Sequence, residues 1–300
     1  METLKNTLFA YMEEIIRKYR RHGQFRTAEI YQSTLNSFRH FRQGVNLSWE
    51  EFDSEMLQDY ETYLRGKKLM PNTISFYMKR LRAVYNKAVE DDLLLDCHPF
   101  KKVYTASEKT VKRAIPLQYI RKIKDLDLSH SRSLSFARDM FLFSFYTRGM
   151  SFVDMLYLQK TDLKEEVLTY RRKKTKQKLT LHWEPCMRRI AVRYSADASS
   201  PYLLSIVKDT SGDIRKQHHN ALALINHHLK KIGESIGLTQ SLTMYVARHS
   251  WATIAHQKGI PISVISEAMG HESEQTTRIY LASLEASVVD NANRKILSLL

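Results

Sequence analysis

The 300-residue chain is 43% hydrophobic and 26% charged, proportions that exclude a disordered protein and allow one large or two ordinary domains. It has no run of about 18 apolar residues, no signal-peptide pattern and too few cysteines for a disulfide framework or a zinc site. Residues 1–100 carry 15 Lys/Arg against 14 Asp/Glu, so nearly all of the net charge of +15 lies beyond them and favours a polyanionic partner, although a ribosomal or membrane-surface protein would also show it.

Four amphipathic helices are predicted in the first hundred residues. Apolar side chains recur there at spacings of three and four, which is the period of a helix with one buried face. Helices joined by short loops form a small bundle, so we predict a helical domain over residues 1–105 and a second domain over residues 106–300. The four predicted helices cover residues 7–21, 27–41, 54–65 and 71–88.

Basic side chains accompany the fourth helix and the segment that follows it. From residue 101 to residue 124 there are eight Lys/Arg against the single acidic residue Glu108, which predicts a linker that lies along a duplex backbone. Each charge taken singly also fits an ordinary solvated surface. The predicted DNA contacts here are Lys79, Arg80, Arg82, Lys87, Lys101 and Lys102.

The second domain is predicted to be mainly helical with a small sheet. Residues 135–146 are apolar and aromatic, which indicates a buried helix, and residues 167–171 and 178–182 alternate as strands do. Six of the eight residues 171–178 are Lys or Arg, and this like charge repels itself unless a polyanion is present. Further helices are predicted over residues 221–233, 245–258, 262–269 and 273–284.

An arginine, a histidine and a tyrosine follow one another near the end of the chain as Arg248, His271 and Tyr280. A tyrosine hydroxyl has a solution pKa of about 10 and is a weak nucleophile unless its neighbours activate it. Cationic donors that hold a phosphate would suit attack of this phenol oxygen on a phosphodiester.

Three segments of the chain resemble the catalytic box of the tyrosine recombinases, the phage integrase family. The resemblance implies an N-terminal helical core-binding (SAM-like) domain, a basic linker and a mixed α+β catalytic domain with a C-terminal tail helix. It also implies strand cleavage without metal, ATP or another cofactor. The segments are Arg248-His249-Ser250-Trp251-Ala252-Thr253, Met269-Gly270-His271 and Thr276-Thr277-Arg278-Ile279-Tyr280.

The resemblance also implies a role for each matched residue. Tyr280 is the nucleophile that forms a 3′-phosphotyrosyl enzyme, while Arg248 and His271 bind the same phosphate. Lys174 in the basic turn matches the general acid for the leaving 5′-oxygen. Lys173 and Lys176 are the alternatives for that lysine and are otherwise predicted to contact DNA.

Two positions depart from the family pattern. Aligning Gly149 with the family glycine puts Ser151 where the first arginine is usual, so we expect Arg148 to replace it, provided that a helix places positions 148 and 151 on one face. The alternative is that Arg148 is structural and the site has lost one cation. Tyr245 stands where the family usually carries histidine, which leaves the acceptor of the Tyr280 proton open; Tyr245 is a site candidate or a core aromatic.

The leading hypothesis is a site-specific recombinase that integrates, excises or inverts DNA. We expect it to act on double-stranded DNA with inverted core sites, in the cytoplasm at the nucleoid and with no membrane partner, since its two cysteines fit a reducing compartment. The apolar segment 283–300 favours a homotetramer held by tail exchange, although it would also fit packing on its own domain. The alternatives are a DNA-binding protein of this fold without cleavage activity and a type IB topoisomerase-like enzyme. The predicted core-binding helices begin almost at the first residue, which by analogy with the family favours a simple recombinase, such as a DNA invertase or resolvase, or a mobile-element integrase with a minimal core.

Overall fold

The computed structural model describes residues 7–108 and 113–281 together with residue 297, and within α12 it describes the backbone but not the side chains of residues 279 and 280. It divides into two compact units, Met1–Thr110 and Val111–Leu300. The boundary expected between residues 105 and 106 stays a prediction. None of the helices in the described ranges is long and apolar enough to cross a membrane.

The first unit is helical, as the apolar spacing predicts. Asp53 begins the third helix by accepting a hydrogen bond from the Met56 amide, and Pro71 begins the fourth at the position where a missing N–H costs nothing. Phe38 and Tyr60 meet edge-to-face in the centre of the core, with ring centroids 4.8 Å apart. The α-helices in the described part of this unit are α1 (Leu8–Arg21), α2 (Phe25–Phe41), α3 (Ser54–Gly66) and α4 (Pro71–Glu90).

The second unit adds a small sheet to a larger set of helices, so the mainly α fold with a small β-sheet is confirmed. Its strands, within the described ranges, form an antiparallel sheet in the order β1-β2-β3. The elements are α5 (Leu117–Asp125), α6 (Arg132–Tyr146), α7 (Phe152–Leu156), β1 (Leu163–Lys164), β2 (Val167–Arg171), β3 (Lys178–His182), α8 (Pro185–Arg193), α9 (Ile214–Ser235), α10 (Met244–Gln257), α11 (Ile262–Met269) and α12 (Glu274–Leu281).

Helix α6 lies in the middle of the second unit and packs against α5, α8, α9 and α10. Its buried carboxylate, Asp139, accepts hydrogen bonds from Arg138, Arg193 and the Tyr194 hydroxyl, the last at 2.8 Å. These bonds satisfy a charge that would otherwise be expensive to bury, and they fasten the end of α8 to α6.

Several elements differ from the sequence-based prediction. Helix α9 begins at Ile214, seven residues before the predicted start, because Asp213 caps it and its first two turns carry polar side chains that hide the apolar stripe. Helices α5, α7 and α8 and the strand β1 were not predicted; they are short, and α5 and α8 are rich in Lys and Arg. The predicted helix 273–284 corresponds to α12, and its last three residues lie outside the described ranges.

Candidate active site

Helix α10 holds Arg248 in a fixed, buried position. The residue is 7% exposed, its Nη1 donates to the carbonyl oxygen of Gly149 at 2.7 Å, and its Nη2 donates to that of Met269, also at 2.7 Å. One guanidinium thus joins the turn after α6 to the end of α11. A planar group anchored in this way presents its remaining donors in a set direction.

A glycine lets the turn after α6 approach α10 this closely. Gly149 has a φ of +74°, and a Cβ placed on it would lie 2.8 Å from the Cα of Arg248. Backbone cannot move away as a flexible side chain can, so the contact requires glycine.

His271 is placed next to Arg248 by the glycine that ends α11. Gly270 adopts a left-handed conformation with a φ of 63°, and the chain then directs His271 so that its Nε2 lies 3.1 Å from Arg248 Nη2. The Nδ1 of His271 lies 2.7 Å from the hydroxyl oxygen of the buried Thr277 on α12. A guanidinium can only donate, so Nε2 accepts and the ring proton resides on Nδ1, which donates to Thr277.

The electrostatic surroundings of His271 agree with a neutral ring. Burial and, after it, the nearby positive charges of Arg248, Arg172 and Lys174, in that order, together lower the pKa of His271 to about 4. These four side chains therefore share one region, to which the β2–β3 hairpin contributes two.

The hairpin turn brings its lysines to the surface around this region. Lys174 is exposed at the tip, and Lys176 takes the left-handed φ of 61° that glycine often supplies in such turns. Lys173 places its Nζ 4.0 Å from the centroid of the Tyr157 ring, and its backbone N–H donates to Asp154 at 2.8 Å. The alternatives to Lys174 thus differ in setting, because Lys173 is engaged with Tyr157.

Arg172, which the sequence analysis did not single out, is buried in the same region. Its side chain is 8% exposed, its Nη1 donates to the carbonyl oxygen of Gly270, and its Nε lies 3.7 Å from a carboxylate oxygen of Asp154. The alternation of strand β2 contains the signal: Leu168 and Tyr170 face inward, so the next residue at that period also does.

The family to which the chain belongs follows from two model matches. The phage integrase SAM-like domain matches residues 7–105, and the model described as phage integrase family matches residues 126–287. The chain belongs to the phage integrase family. It is a tyrosine recombinase, an enzyme of DNA strand exchange, so the family and enzyme class indicated by the resemblance are confirmed.

Relatives and solved structures agree with this family. The chain is 22% identical to the tyrosine recombinase XerC of Syntrophus aciditrophicus over 292 residues, which cover 90% of this chain and 93% of that one. It is 23% identical to the XerC of Listeria innocua over 277 residues, or 85% and 86% of the two chains. A lambda integrase dimer bound to a COC′ core site shares the fold, with a TM-score of 0.67, 14% identity and coverage of 92% and 77%. XerH recombinase bound to difH does so with a TM-score of 0.62, 19% identity and coverage of 90% and 79%.

The first-arginine segment of this recombinase is not helical. Arg148 has a φ of 60°, so the premise that a helix puts positions 148 and 151 on one face is wrong; the chain turns there to bring Gly149 against α10. The part-exposed Arg148 donates from Nη1 to the carbonyl oxygen of Thr180 on β3 at 3.3 Å. Ser151 instead caps α7, and its hydroxyl donates to Asp154 at 2.6 Å.

The buried Tyr170 lies close enough to three arginines of the recombinase for their charges to affect the pKa of its hydroxyl. Burial raises the pKa of Tyr170 above its usual range and the Asp154 carboxylate adds to this rise, while Arg172, Arg248 and Arg148 oppose it in that order. The sequence pattern predicts Tyr170 only as part of the strand 167–171.

The other two candidates of the catalytic box stand in different situations. Tyr245 is 54% exposed on α10 and packs its ring edge-to-face on His249, with centroids 4.4 Å apart, so the alternative of a core aromatic is wrong. The backbone of Tyr280 lies in α12, three positions after Thr277, and its side chain lies outside the described residues. Within residues 7–108 and 113–281, no group of three or more His, Cys, Asp or Glu has the geometry to hold a metal ion.

The basic residues predicted on the first unit lie on α4 and directly after it. Lys79 donates to the Ser107 hydroxyl at 2.7 Å, and Arg80 lies over the ring of Phe76 with its Nε buried. Arg82 and Lys101 line a surface cavity of about 410 Å³. Lys87 is half-buried and Lys102 is exposed. Their contacts with DNA stay predictions.

Proposed function

We propose that this recombinase cleaves DNA by attack of the Tyr280 hydroxyl oxygen on the scissile phosphate. A bond forms between that oxygen and phosphorus, the bond from phosphorus to the 5′-oxygen breaks, and the products are a 3′-phosphotyrosyl enzyme and a free 5′-hydroxyl. The observation that carries the proposal is the chain of contacts from Arg248 through His271 to Thr277, because it ends on α12, the helix that contains Tyr280.

Arg248 and His271 would bind the phosphate and stabilise the charge that develops on its oxygens. Arg248 is held by carbonyls on both sides and therefore needs little reorganisation when the phosphate arrives. His271 is neutral in the free protein, and a phosphate anion beside it would raise its pKa and favour an N–H at Nε2. The ring would then donate to the phosphate in place of accepting from Arg248.

Lys174 would give its proton to the leaving 5′-oxygen. It is exposed at the hairpin tip, and its charge acts on His271, so it lies at the edge of the phosphate site. Lys176 is the alternative that the same turn offers, and Lys173 would have to leave the Tyr157 ring to take this role.

Tyr245 and Arg148 are the remaining side chains that the sequence predicts for this site. Tyr245 lies three positions before Arg248 on α10, and residues at that spacing are neighbours on a helix surface, so its hydroxyl could reach the same phosphate. The sequence predicts the first-arginine function for Arg148. Its positive charge, like that of Arg248, lowers the pKa of the Tyr170 hydroxyl.

The DNA partner would be a duplex with inverted core sites, gripped by domain 1–105 and domain 106–300 with the basic linker between them. We propose a homotetramer held by exchange of the C-terminal tail; residues 283–300 lie outside the described ranges except for residue 297. A lambda integrase tetramer bound to a Holliday junction, with a TM-score of 0.65, supports the proposal. The enzyme would work at the nucleoid and act in inversion, excision or integration, and inverted repeats in the DNA beside its gene would favour inversion.

A nicked suicide substrate tests the cleavage step. The short strand released by cleavage diffuses away, so the covalent protein–DNA adduct accumulates and can be counted on a denaturing gel. We expect adduct from the wild type in buffer with EDTA and none from Tyr280→Phe, which removes only the nucleophilic oxygen and leaves DNA binding nearly intact. Adduct from Tyr280→Phe would refute the assignment of the nucleophile, and a wild type that binds DNA without adduct would favour the alternative of a DNA-binding protein that does not cleave.

A further inference from the structure

Arg172 combines a buried charge with a donor that no residue satisfies. It follows the last residue of β2, and its side chain is 8% exposed. Its Nη1 donates to the Gly270 carbonyl, whereas its buried Nε has no hydrogen-bond partner among the described residues. The group is thus held by one carbonyl and by an ion pair with Asp154, whose carboxylate lies 3.7 Å from Nε. A guanidinium has five N–H donors, so donors remain for a further acceptor.

Arg172 lies beside the arginine that is already assigned to the phosphate. Arg248 donates to the carbonyl of Met269 and Arg172 to that of Gly270, and the Cα atoms of consecutive residues are about 3.8 Å apart. The two guanidinium groups therefore approach the same stretch of backbone directly before His271. Both groups also lower the pKa of His271, after the effect of its burial.

The setting of Arg148 is different. It lies on a left-handed turn, is part-exposed and donates to the carbonyl of Thr180 on β3. Among the arginines whose positive charge lowers the pKa of Tyr170, Arg172 has the largest effect and Arg148 the smallest. Arg172 thus contacts the residue directly before His271, whereas Arg148 contacts the sheet.

Asp154 holds Arg172 in this position. One of its carboxylate oxygens accepts the backbone N–H of Lys173 at 2.8 Å, and the other lies 3.7 Å from Arg172 Nε and accepts the Ser151 hydroxyl at 2.6 Å. Ser151 occupies the column where the family usually has its first arginine. Ser151 therefore helps to fix the hairpin through Asp154, which is the positioning residue between Ser151 and Arg172.

We propose that Arg172, rather than Arg148, supplies the first-arginine function: with Arg248 it binds the non-bridging oxygens of the scissile phosphate. The inference rests on the proposed phosphotyrosyl chemistry. A phosphodiester carries one negative charge, and a second develops on the equatorial oxygens when the tyrosine oxygen adds, so a second fixed cation stabilises the transition state more than the ground state. The proposal makes the hairpin the source of both the phosphate-binding arginine and the acid Lys174.

The test compares two versions of the nicked suicide substrate. One has a normal scissile phosphate, and the other has a methylphosphonate there, in which a methyl group replaces a non-bridging oxygen and removes the negative charge. On the phosphate, we expect Arg172→Ala to slow adduct formation by about 10²–10³-fold, the effect of losing one preorganised donor. On the methylphosphonate, the same variant should come within about tenfold of the wild type, because the transition state then carries one negative charge in place of two and needs only one cation.

Two further variants make the result decisive. Arg172→Met keeps an unbranched side chain against Gly270 without the charge, and Asp154 keeps its hydrogen bonds from Ser151 and Lys173, so this variant guards against a folding defect of the alanine variant. Arg148→Ala is the matched comparison, and we expect it to cause a smaller loss that is the same on both substrates. Thermal unfolding of the full-length variants checks that each is folded.

Three results would overturn the inference. They are a wild-type rate for folded Arg172→Met, an equal loss on the phosphate and the methylphosphonate for that variant, and a loss confined to the phosphate for Arg148→Ala. If the wild type gives adduct and Tyr280→Phe does not, the proposed function stands even when the assignment of Arg172 fails.

Discussion

The turn after α6 and the hairpin after β2 each bring an arginine towards the end of α11, and they hold it differently. The turn keeps Arg148 part-exposed on left-handed backbone, and what it gives the centre of the site is the Gly149 carbonyl that orients Arg248. The hairpin keeps Arg172 buried between Gly270 and Asp154. The family's sequence pattern thus indicates that the site needs a second cation. Burial and hydrogen bonds in the folded protein decide which side chain provides it.

The largest difference between the two regions should be the loss of stability when Gly149 in the turn or Gly270 beside the hairpin is replaced by alanine. In Gly149→Ala the new Cβ would lie 2.8 Å from backbone at Arg248, and the φ of +74° adds strain. The strain costs about 1–3 kcal/mol and overpacking about 1–3 kcal/mol more, with a fall in Tm of about 2–4 °C per kcal/mol for a domain of this size. Thermal unfolding by circular dichroism measures it.

Gly270→Ala is the matched variant on the hairpin side. Its new Cβ would lie 2.7 Å from the side-chain Cδ of Arg172, which can shift. We therefore expect a smaller fall in Tm than for Gly149→Ala, together with slower adduct formation because Arg172 is displaced. Equal stability losses in the two variants would show that the two contacts are equally rigid and would remove this difference between the regions.

A second, smaller effect concerns pH, because both regions act on His271. Its pKa is about 4 in the folded protein, below the ordinary value of about 6.5 that applies when the chain is unfolded. Between these values the unfolded chain binds more protons, so this residue makes the protein more stable as pH rises from 4 towards 6.5 and adds nothing further above that. The rise in Tm from pH 4.5 to pH 7 should be smaller in His271→Gln than in the wild type. An identical rise would mean that His271 is not held neutral.

The smallest expected effect lies at the outer edge of the hairpin. Lys176→Asn removes one charge and keeps a residue that tolerates the left-handed φ of 61°. If Lys176 contacts one phosphate, the slope of log K against log salt concentration should fall by about 0.9, with little change in the adduct rate at saturating protein. Lys230→Gln on α9 is the control and should leave the slope unchanged. A large loss of adduct rate in Lys176→Asn would move the general-acid role from Lys174 to Lys176.

The sequence predicted the parts of this protein that repeat with a simple period or a fixed spacing. The helices of the first unit follow their apolar stripes, and Arg248, His271 and Tyr280 are recognised by their spacing. The start of α9 was missed because polar side chains interrupt its stripe.

Arg172 was missed for a different reason. The period of two along β2 points it inward, but six Lys/Arg within eight residues led the whole segment to be interpreted as a basic turn that faces a polyanion. Its main contact joins positions 98 residues apart, and no local pattern encodes such a contact. The helical face expected for residues 148–151 failed similarly, since the close approach to α10 that forces the turn is visible only in three dimensions.

The hydrogen bond between His271 and Thr277 makes the imidazole a spectroscopic reporter for the helix that carries the nucleophile. While α12 is docked, the Nδ1 proton is bonded to a buried hydroxyl and should exchange slowly with solvent. Release of α12 would expose the ring and return its pKa towards 6.5. The nitrogen chemical shifts of His271 near neutral pH would therefore report, before any DNA is added, the fraction of molecules in which Tyr280 has its helix in place.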